Sequence, residues 1–239
     1  MNNVSIFPSL DELSIAAADI IYKESRESIK NKGRFTIALS GGKTPAALFG
    51  LLAKPPYSDN LDWKHFFVFW GDERFVPPDH HDNNSHLAKK LFLDHVPIPA
   101  ENIFTPQVQM PPPAAATQYI NMLKAFFKTD LPAFDLILLG MGEDGHTASL
   151  FPGTPIGANH PTLVEAITKH HDPVKRLTFT PPLLNNAKRI LVLVSGKGKA
   201  KVLSEVISKK GEVKYPIQML QKKNLHWLVD ADAASLLKK

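Results

Sequence analysis

Short runs of consecutive apolar residues alternate along this chain with longer segments in which apolar residues recur at helical spacing. A short apolar run is typical of a strand that is covered on both faces of a parallel sheet. Such runs predict strands at residues 34–39, 66–70, 134–139, 189–194 and 225–229, with a further candidate at 176–179.

The segments between these strands are predicted to be mainly helical. Leu10 to Lys30 carries an apolar stripe, with Ser9 as a suitable N-cap and Gly33 after its end. Residues 153–173 are predicted to be a loop with a short helix near Leu163. Further helices are expected from Pro45 with Thr44 as the cap, after 82–86, over 114–127, from the turn at 195–199 through Ile207, and after Asp230.

Strands and helices alternate along the whole chain. This order predicts an α/β fold with a Rossmann-like, mostly parallel sheet and helices on both faces. The sequence contains no internal repeat and no low-complexity linker. We therefore expect residues 1–239 to form a single α/β catalytic domain.

The composition places few further limits on the protein. Its 239 residues suffice for a buried core, and 44% hydrophobic and 21% charged residues are ordinary values for a globular protein. No apolar run approaches the ~20 residues of a membrane span, and the N-terminus lacks the features of a secretory signal. Because the chain has no cysteine, disulfides and thiolate metal sites are excluded, and we expect a cytoplasmic protein without a membrane partner.

The formal net charge of +5 raises the question of an anionic partner. The lysines are spread along the chain, and no basic run is interleaved with aromatic residues as in a groove for single-stranded nucleic acid. The same surplus suits a protein that collects a small anionic substrate. Charge alone does not decide between these two kinds of partner.

The most informative stretch follows the predicted strand at 134–139. Glycines at 140, 142 and 145 let the backbone pass close to a ligand, and Asp144 and His146 lie among them. Ligands bind at this end of the strands in open α/β sheets, so His146, oriented by Asp144, is a candidate general base. The alternative is that Asp144 caps a turn and His146 is a solvated loop residue.

The same stretch matches G-x-G-x-x-G, but its context argues against a dinucleotide site. That fingerprint usually opens a first βαβ unit and runs into a full helix. Here it lies past the middle of the chain, and Pro152 and Gly153 cut short any helix that starts near Thr147.

A second glycine turn, Ser40 to Pro45, follows the first predicted buried strand. The free N–H groups at the start of a helix after Gly41 and Gly42 would form an anion site, to which Lys43 adds a cation. The sequence G-G-K-T resembles the end of a P-loop. Because position 37 is Ile37 where a Walker A motif needs glycine, we exclude an ATPase site.

Other polar stretches also follow predicted strands. The turn at 195–199 brings lysines to a glycine-rich loop and is either a second anion contact or a solvated basic face. His80, His81 and His86 suggest a metal site at first sight. They lack the paired helical spacing of a zincin, so we interpret them as solvated loop residues.

With these loops in hand, the sequence resembles the 6-phosphogluconolactonase family, which shares its fold group with glucosamine-6-phosphate deaminase. The resemblance covers nearly the whole chain. It rests on SGGKTP at 40–45, GDERFVP at 71–77, DNNSHLA at 82–88, GMGEDGHTASLFPGTP at 140–155, RLTFTPPLLN at 176–185 and SGKGKA at 195–200. It implies a sugar-phosphate isomerase/deaminase-like fold.

The resemblance implies hydrolysis of 6-phosphoglucono-1,5-lactone to 6-phosphogluconate in the oxidative pentose phosphate pathway, with no metal or organic cofactor. His146 would be the general base, Asp144 would orient it, and Arg74 would lie over the ligand. The implied or candidate residues for binding substrate and phosphate are Gly41, Gly42, Lys43, Thr44, Asp72, Arg176 and Lys199. Family members often have Ser or Arg in place of Lys43, so its role stays open.

The chain has no G-x-S-x-G elbow and no cysteine, so we expect direct attack by water rather than an acyl-enzyme. The expected partner is a phosphorylated sugar lactone, without nucleic acid or membrane, and the expected state is a monomer or weak oligomer. One alternative is a deaminase-like enzyme in which Asp72 abstracts a proton next to the carbonyl. Another is a non-catalytic sugar-phosphate-binding protein.

Overall fold

A computed structural model describes residues 3–168, 172–208 and 213–237 of the chain. The strands in these residues are β1 (Asn3–Phe7), β2 (Phe35–Leu39), β3 (Phe66–Trp70), β4 (Asp72–Arg74), β5 (Leu136–Gly140), β6 (Val164–Thr168), β7 (Lys175–Phe179), β8 (Arg189–Val194) and β9 (Leu225–Asp230). The α-helices are α1 (Leu10–Lys32), α2 (Lys43–Leu52), α3 (Tyr57–Asn60), α4 (Asn84–Leu91), α5 (Pro112–Phe127), α6 (Pro181–Asn185) and α7 (Ala200–Ser208). Short 3-10 helices lie at Trp63–His65, Leu93–His95, Ala100–Asn102, Lys197–Lys199, Pro216–Met219 and Lys222–Asn224.

Six strands form the central sheet in the order β1-β9-β8-β5-β2-β3, and each neighbouring pair is parallel. The remaining three form a small antiparallel sheet in the order β4-β7-β6. The predicted α/β fold with a mostly parallel sheet is therefore confirmed. Among the helices in the described ranges, none combines the length and the apolarity that a membrane span requires.

The core lies on both faces of the central sheet, as the apolar runs predict. On β5, Leu136 and Leu138 belong to one buried cluster, whereas Ile137 and Leu139 belong to the other. Residues of α1, α2 and α4 complete the first cluster, and residues of α5, α6, α7 and the small sheet complete the second. The assignment of 1–239 to a single domain stays a prediction.

Of the two helix caps predicted at Ser9 and Thr44, the first is confirmed and the second is wrong. Ser9 caps α1 through a hydrogen bond from the Glu12 N–H, and Gly33 ends that helix in the left-handed conformation. The predicted Thr44 cap is wrong, because α2 begins at Lys43 with Gly42 as its N-cap. Gly42 has φ 105°, a conformation that favours glycine, so the chain turns into the helix earlier than expected.

The helix predicted near Leu163 is also wrong, because Val164 to Thr168 form strand β6 in antiparallel pairing with β7. That pairing is a tertiary contact, which local propensity does not reveal. After Asp230 the chain forms turns rather than the expected helix, although the Asp230 carboxylate accepts a hydrogen bond from the Ala233 N–H. Strands β1 and β4 are additions to the strands that the apolar runs predict.

A buried carboxylate joins β2 to β5 at the amino-terminal edge of the sheet. Asp135 accepts hydrogen bonds from the backbone and hydroxyl of Thr36 at 2.9 and 2.8 Å, and it pairs with Lys32 at 2.8 Å and Lys188 at 3.0 Å. Burial alone raises the pKa of Asp135, but these partners outweigh burial and hold the pKa below its usual value. The ionised carboxylate therefore stabilises the fold.

We expect Asp135→Asn to lower the free energy of unfolding by about 2 kcal/mol at pH 7, because a charged acceptor is lost. Since the folded-state pKa is lowered, the contribution of Asp135 is present at neutral pH and is lost as the pH falls through the carboxyl range. Urea unfolding at neutral and acidic pH measures both effects. Asp130→Asn, at the exposed pair with Lys124, is the control and should change little.

Candidate active site

The carboxyl ends of β2, β5 and β8 meet at one edge of the sheet, next to the start of β4. The loops that follow enclose a cleft of about 390 Å³. Its lining residues are Ser40, Gly41, Gly42, Lys43, Thr44, Pro45, Asp72, Arg74, Gly140, Met141, Gly142, Glu143, His146, Ala148, Leu193, Ser195 and Lys199.

His146 and Asp144 form a closely coupled pair at this cleft. Nδ1 of His146 lies 2.5 Å from Oδ1 of Asp144, and the same oxygen accepts a hydrogen bond from the His146 N–H at 3.2 Å. The ring of Phe151 lies 4.7 Å from the imidazole, centroid to centroid. With Nδ1 donating to a carboxylate, the lone pair of the neutral imidazole is on Nε2.

The charge of Asp144 supports this orientation. Burial alone raises the pKa of Asp144, but hydrogen bonding and the charge interaction with His146 outweigh it, so the pKa lies below its usual value. Asp144 therefore remains ionised at neutral pH and favours the tautomer in which Nδ1 carries the proton. Such a pair is suited to accepting a proton at Nε2.

The cleft lining also includes cationic side chains and the N–H groups at the start of a helix. Helix α2 starts there, and Gly42 caps it without a side-chain hydrogen bond. Lys43 is exposed at the first position of α2, and Lys199 enters from the turn after β8. The carboxylate of Asp230 holds that turn through Ser195 Oγ at 2.5 Å and the Gly196 N–H at 3.0 Å. These groups are suited to a phosphomonoester.

Arg74 and Arg176 lie directly opposite each other on the antiparallel strands β4 and β7. Arg74 lines the cleft, and its Nη1 donates to the carbonyl oxygen of Asp82 at 2.9 Å. Arg176 does not line the cleft; it pairs with Asp172 at 2.8 Å and lies over the ring of Phe151. Like charges in opposed positions are unfavourable, and the Asp172 carboxylate offsets this repulsion on the side of Arg176.

The structure thus brings most of the predicted site residues into one cleft, including residues that are far apart in sequence. Asp144 contacts His146, which lines the cleft, but Asp144 itself lines a neighbouring cleft of about 1040 Å³. The functional roles of all these residues, and the phosphate contact of Arg176 in particular, stay predictions. The residues in the cleft are Gly41, Gly42, Lys43, Thr44, Asp72, Arg74, His146 and Lys199.

Sequence reasoning missed several residues that support the cleft. Ser149 Oγ donates to the Asp72 carboxylate at 2.7 Å, and Asn84 Nδ2 donates to the Asp72 carbonyl oxygen at 2.9 Å. Glu73 is fully buried, and burial raises its pKa to about 7. Hydrogen bonds from three backbone N–H groups lower the pKa but do not outweigh burial. The stretches DNNSHLA and GDERFVP contain Asn84 and Glu73, but nothing local to them indicates which polar atoms meet.

One group in the described part of the chain has donor atoms close enough together to hold a metal ion. His80, His81 and Asp82 lie within 4.8 Å of one another, whereas His86 does not take part. The group is on an exposed loop and does not line the cleft. The absence of a metal in the reaction stays a prediction.

Comparisons with known proteins show which family the chain resembles in sequence and structure. A family model described as "Glucosamine-6-phosphate isomerases/6-phosphogluconolactonase" matches residues 8–228. The chain is 40% identical to a 6-phosphogluconolactonase of Nostoc sp. over 98% of both chains, and 42% identical to one of Synechocystis sp. over 89% of this chain and 88% of the relative. It is also similar in structure to 6-phosphogluconolactonase from Trypanosoma cruzi, with a TM-score of 0.87, 26% identity and coverage of 100% and 98%.

Gly142→Ala should displace the imidazole of His146, because a Cβ at residue 142 would overlap the ring and approach Oδ1 of Asp144 to 2.6 Å. We expect the low-field proton signal of the His146–Asp144 hydrogen bond in the wild-type NMR spectrum to disappear in this variant. Gly157→Ala is the control, because its Cβ would meet nothing within 4 Å. An unchanged low-field signal in Gly142→Ala would contradict the close contact.

Proposed function

The chain belongs to the glucosamine-6-phosphate isomerase/6-phosphogluconolactonase family, and we propose that it hydrolyses 6-phosphoglucono-1,5-lactone by direct attack of a water molecule that His146 activates. The relatives in Nostoc and Synechocystis support lactone hydrolysis as the activity, and thereby a place in the pentose phosphate pathway. The observation that carries the mechanism is the His146–Asp144 pair in the same cleft as the glycine turn at 41–42.

The first step of the proposed reaction is proton transfer from water to Nε2 of His146 as the water oxygen attacks the lactone carbonyl carbon. Asp144 stabilises the imidazolium that results, because its carboxylate is 2.5 Å from Nδ1. The tetrahedral intermediate then collapses, and the bond between the carbonyl carbon and the ring oxygen breaks. The imidazolium returns its proton to that leaving oxygen, which gives 6-phosphogluconate and the resting enzyme.

The oxyanion of the intermediate needs a donor on the cleft wall. Arg74 lines the cleft, and its Nη1 is anchored to the Asp82 carbonyl oxygen, so the guanidinium is already oriented. Backbone N–H groups of the loop at 140–146 are the alternative donors. Loss of one such donor typically lowers kcat by about 10²–10³.

Binding of the phosphate is assigned in this proposal to the cationic part of the cleft lining. Gly41, Gly42 and Thr44 offer the N–H groups around the start of α2, and Lys43 and Lys199 supply positive charge. In this proposal the substrate lies along the cleft, with its phosphate at the start of α2 and its lactone ring at His146.

The proposed reaction requires only the phosphorylated lactone as a ligand, with the chain acting as a monomer or weak oligomer. We propose a cytoplasmic location without nucleic-acid or membrane partners.

His146→Ala should lower kcat by about 10²–10⁴, because the general base is lost, while the Kd for 6-phosphogluconate changes little. Lactone hydrolysis measured above the spontaneous background and calorimetric binding provide the two quantities. His65→Ala is a matched control: its Nδ1 lies 2.8 Å from Asp62, but the pair lies just before β3, away from the cleft. A wild-type rate in His146→Ala would exclude His146 as the base.

Efficient release of ammonia from glucosamine 6-phosphate by the wild type would instead favour a deaminase.

Lys199→Ala should raise KM for the phosphorylated lactone about tenfold or more, because a charge-assisted contact to phosphate is removed. Hydrolysis of the unphosphorylated gluconolactone should change little, since that substrate lacks the group in question. Lys197→Ala is the control, because Lys197 is exposed in the same turn and does not line the cleft. An equal loss for both substrates would place Lys199 outside the phosphate site.

A further inference from the structure

Asn84 lies between the two chain segments that enter the cleft from β2 and β3. It is 2% exposed and does not line the cleft, whereas Gly41 and Asp72 do. Its Nδ2 donates to the Asp72 carbonyl oxygen at 2.9 Å. Its Oδ1 and Cγ occupy the space that a Cβ at Gly41 would need. The Asn84 side chain therefore limits how residue 41 is positioned relative to residue 72.

Glu73 holds the backbone of Asn84 in place. Its Oε1 accepts a hydrogen bond from the Asn84 N–H at 2.7 Å, and its Oε2 accepts one from the Ser85 N–H at 2.8 Å. These are the first N–H groups of α4, where a carboxylate is favourable. The side chain of Asn83 caps the same end through the His86 N–H at 2.8 Å. The backbone of Asn84 is thus held in place, and its side chain points towards Gly41.

We propose that Asn84 is a positioning residue for the anion-binding turn at 41–42, and that residue 41 must be glycine because Asn84 fills the place of a side chain there. The inference rests on the proposed function, in which this turn binds the substrate phosphate. Asn84 acts through Gly41 and does not touch the substrate. Its loss should therefore weaken phosphate binding far more than it slows the chemical step at His146.

A double-mutant cycle tests this role with Gly41→Ala, Asn84→Ala, the double variant and the wild type. Each single variant should raise KM for the phosphorylated lactone and the Kd for 6-phosphogluconate by about 10- to 100-fold, because charge-assisted hydrogen bonds to phosphate are misplaced. We expect kcat to change less than about threefold. The double variant should be no worse than Asn84→Ala alone, since the methyl group introduced by Gly41→Ala fits once the Asn84 amide is removed. Gly50→Ala in α2 is the control, because its Cβ would meet nothing within 4 Å.

The outcomes separate this inference from the proposed function. If the effects of the two single variants on KM and Kd multiply, Gly41 and Asn84 act independently and the inference is overturned. Coupling in the melting temperature without coupling in KM and Kd would make the contact structural only, which also overturns it. A wild-type protein that neither hydrolyses the lactone nor binds 6-phosphogluconate contradicts the proposed function itself, whereas normal wild-type turnover with multiplying effects contradicts only the role of Asn84.

Discussion

The parallel pairing of β2, β5 and β8 is the constraint on which the candidate site depends. Parallel strands end at the same edge of a sheet, so the loops that follow them must meet there. The glycine turn at 41–42, the loop at 140–146 and the turn at 195–199 are distant in sequence, yet they line one cleft for this reason. At the opposite edge of the sheet, the buried Asp135 carboxylate accepts two hydrogen bonds from Thr36 and so links β5 to β2.

The small antiparallel sheet contributes the charged side chains of Asp72 and Arg74 to the cleft. Strand β4 leaves the end of β3 through Gly71, whose N–H donates to the Leu39 carbonyl oxygen at 2.9 Å. This short segment carries Asp72 and Arg74 over the cleft, and its pairing with β7 brings Arg176 alongside. The cleft thus has a cationic wall from two different sheets and an imidazole on the side of β5.

The sequence predicts those features that depend on residues near one another in the chain. The strands at 66–70 and 189–194 have the predicted bounds, because continuous apolar runs are strong signals. Asp144 and His146 are two residues apart, so the sequence alone predicts their contact. Strand β6 and the Asn84–Gly41 contact depend on partners that only the folded chain brings close, and no local pattern indicates them.

Of the four glycines that line the cleft, Gly41 and Gly142 lie directly against side chains, whereas a Cβ at Gly42 or Gly140 would meet nothing within 4 Å. Among the glycines of the described residues, a Cβ would meet a side chain at less than ordinary contact distance at four positions: Gly41 with Asn84, Gly142 with His146, Gly145 with Tyr215, and Gly198 with Glu143. At Gly33, Gly50 and Gly157, away from the cleft, a Cβ would meet nothing within 4 Å. Two of the four side chains, those of His146 and Glu143, line the cleft themselves. The absence of a Cβ at Gly41 and Gly142 therefore leaves room for the Asn84 amide and the His146 imidazole, so a larger residue at either position would alter the geometry of the cleft.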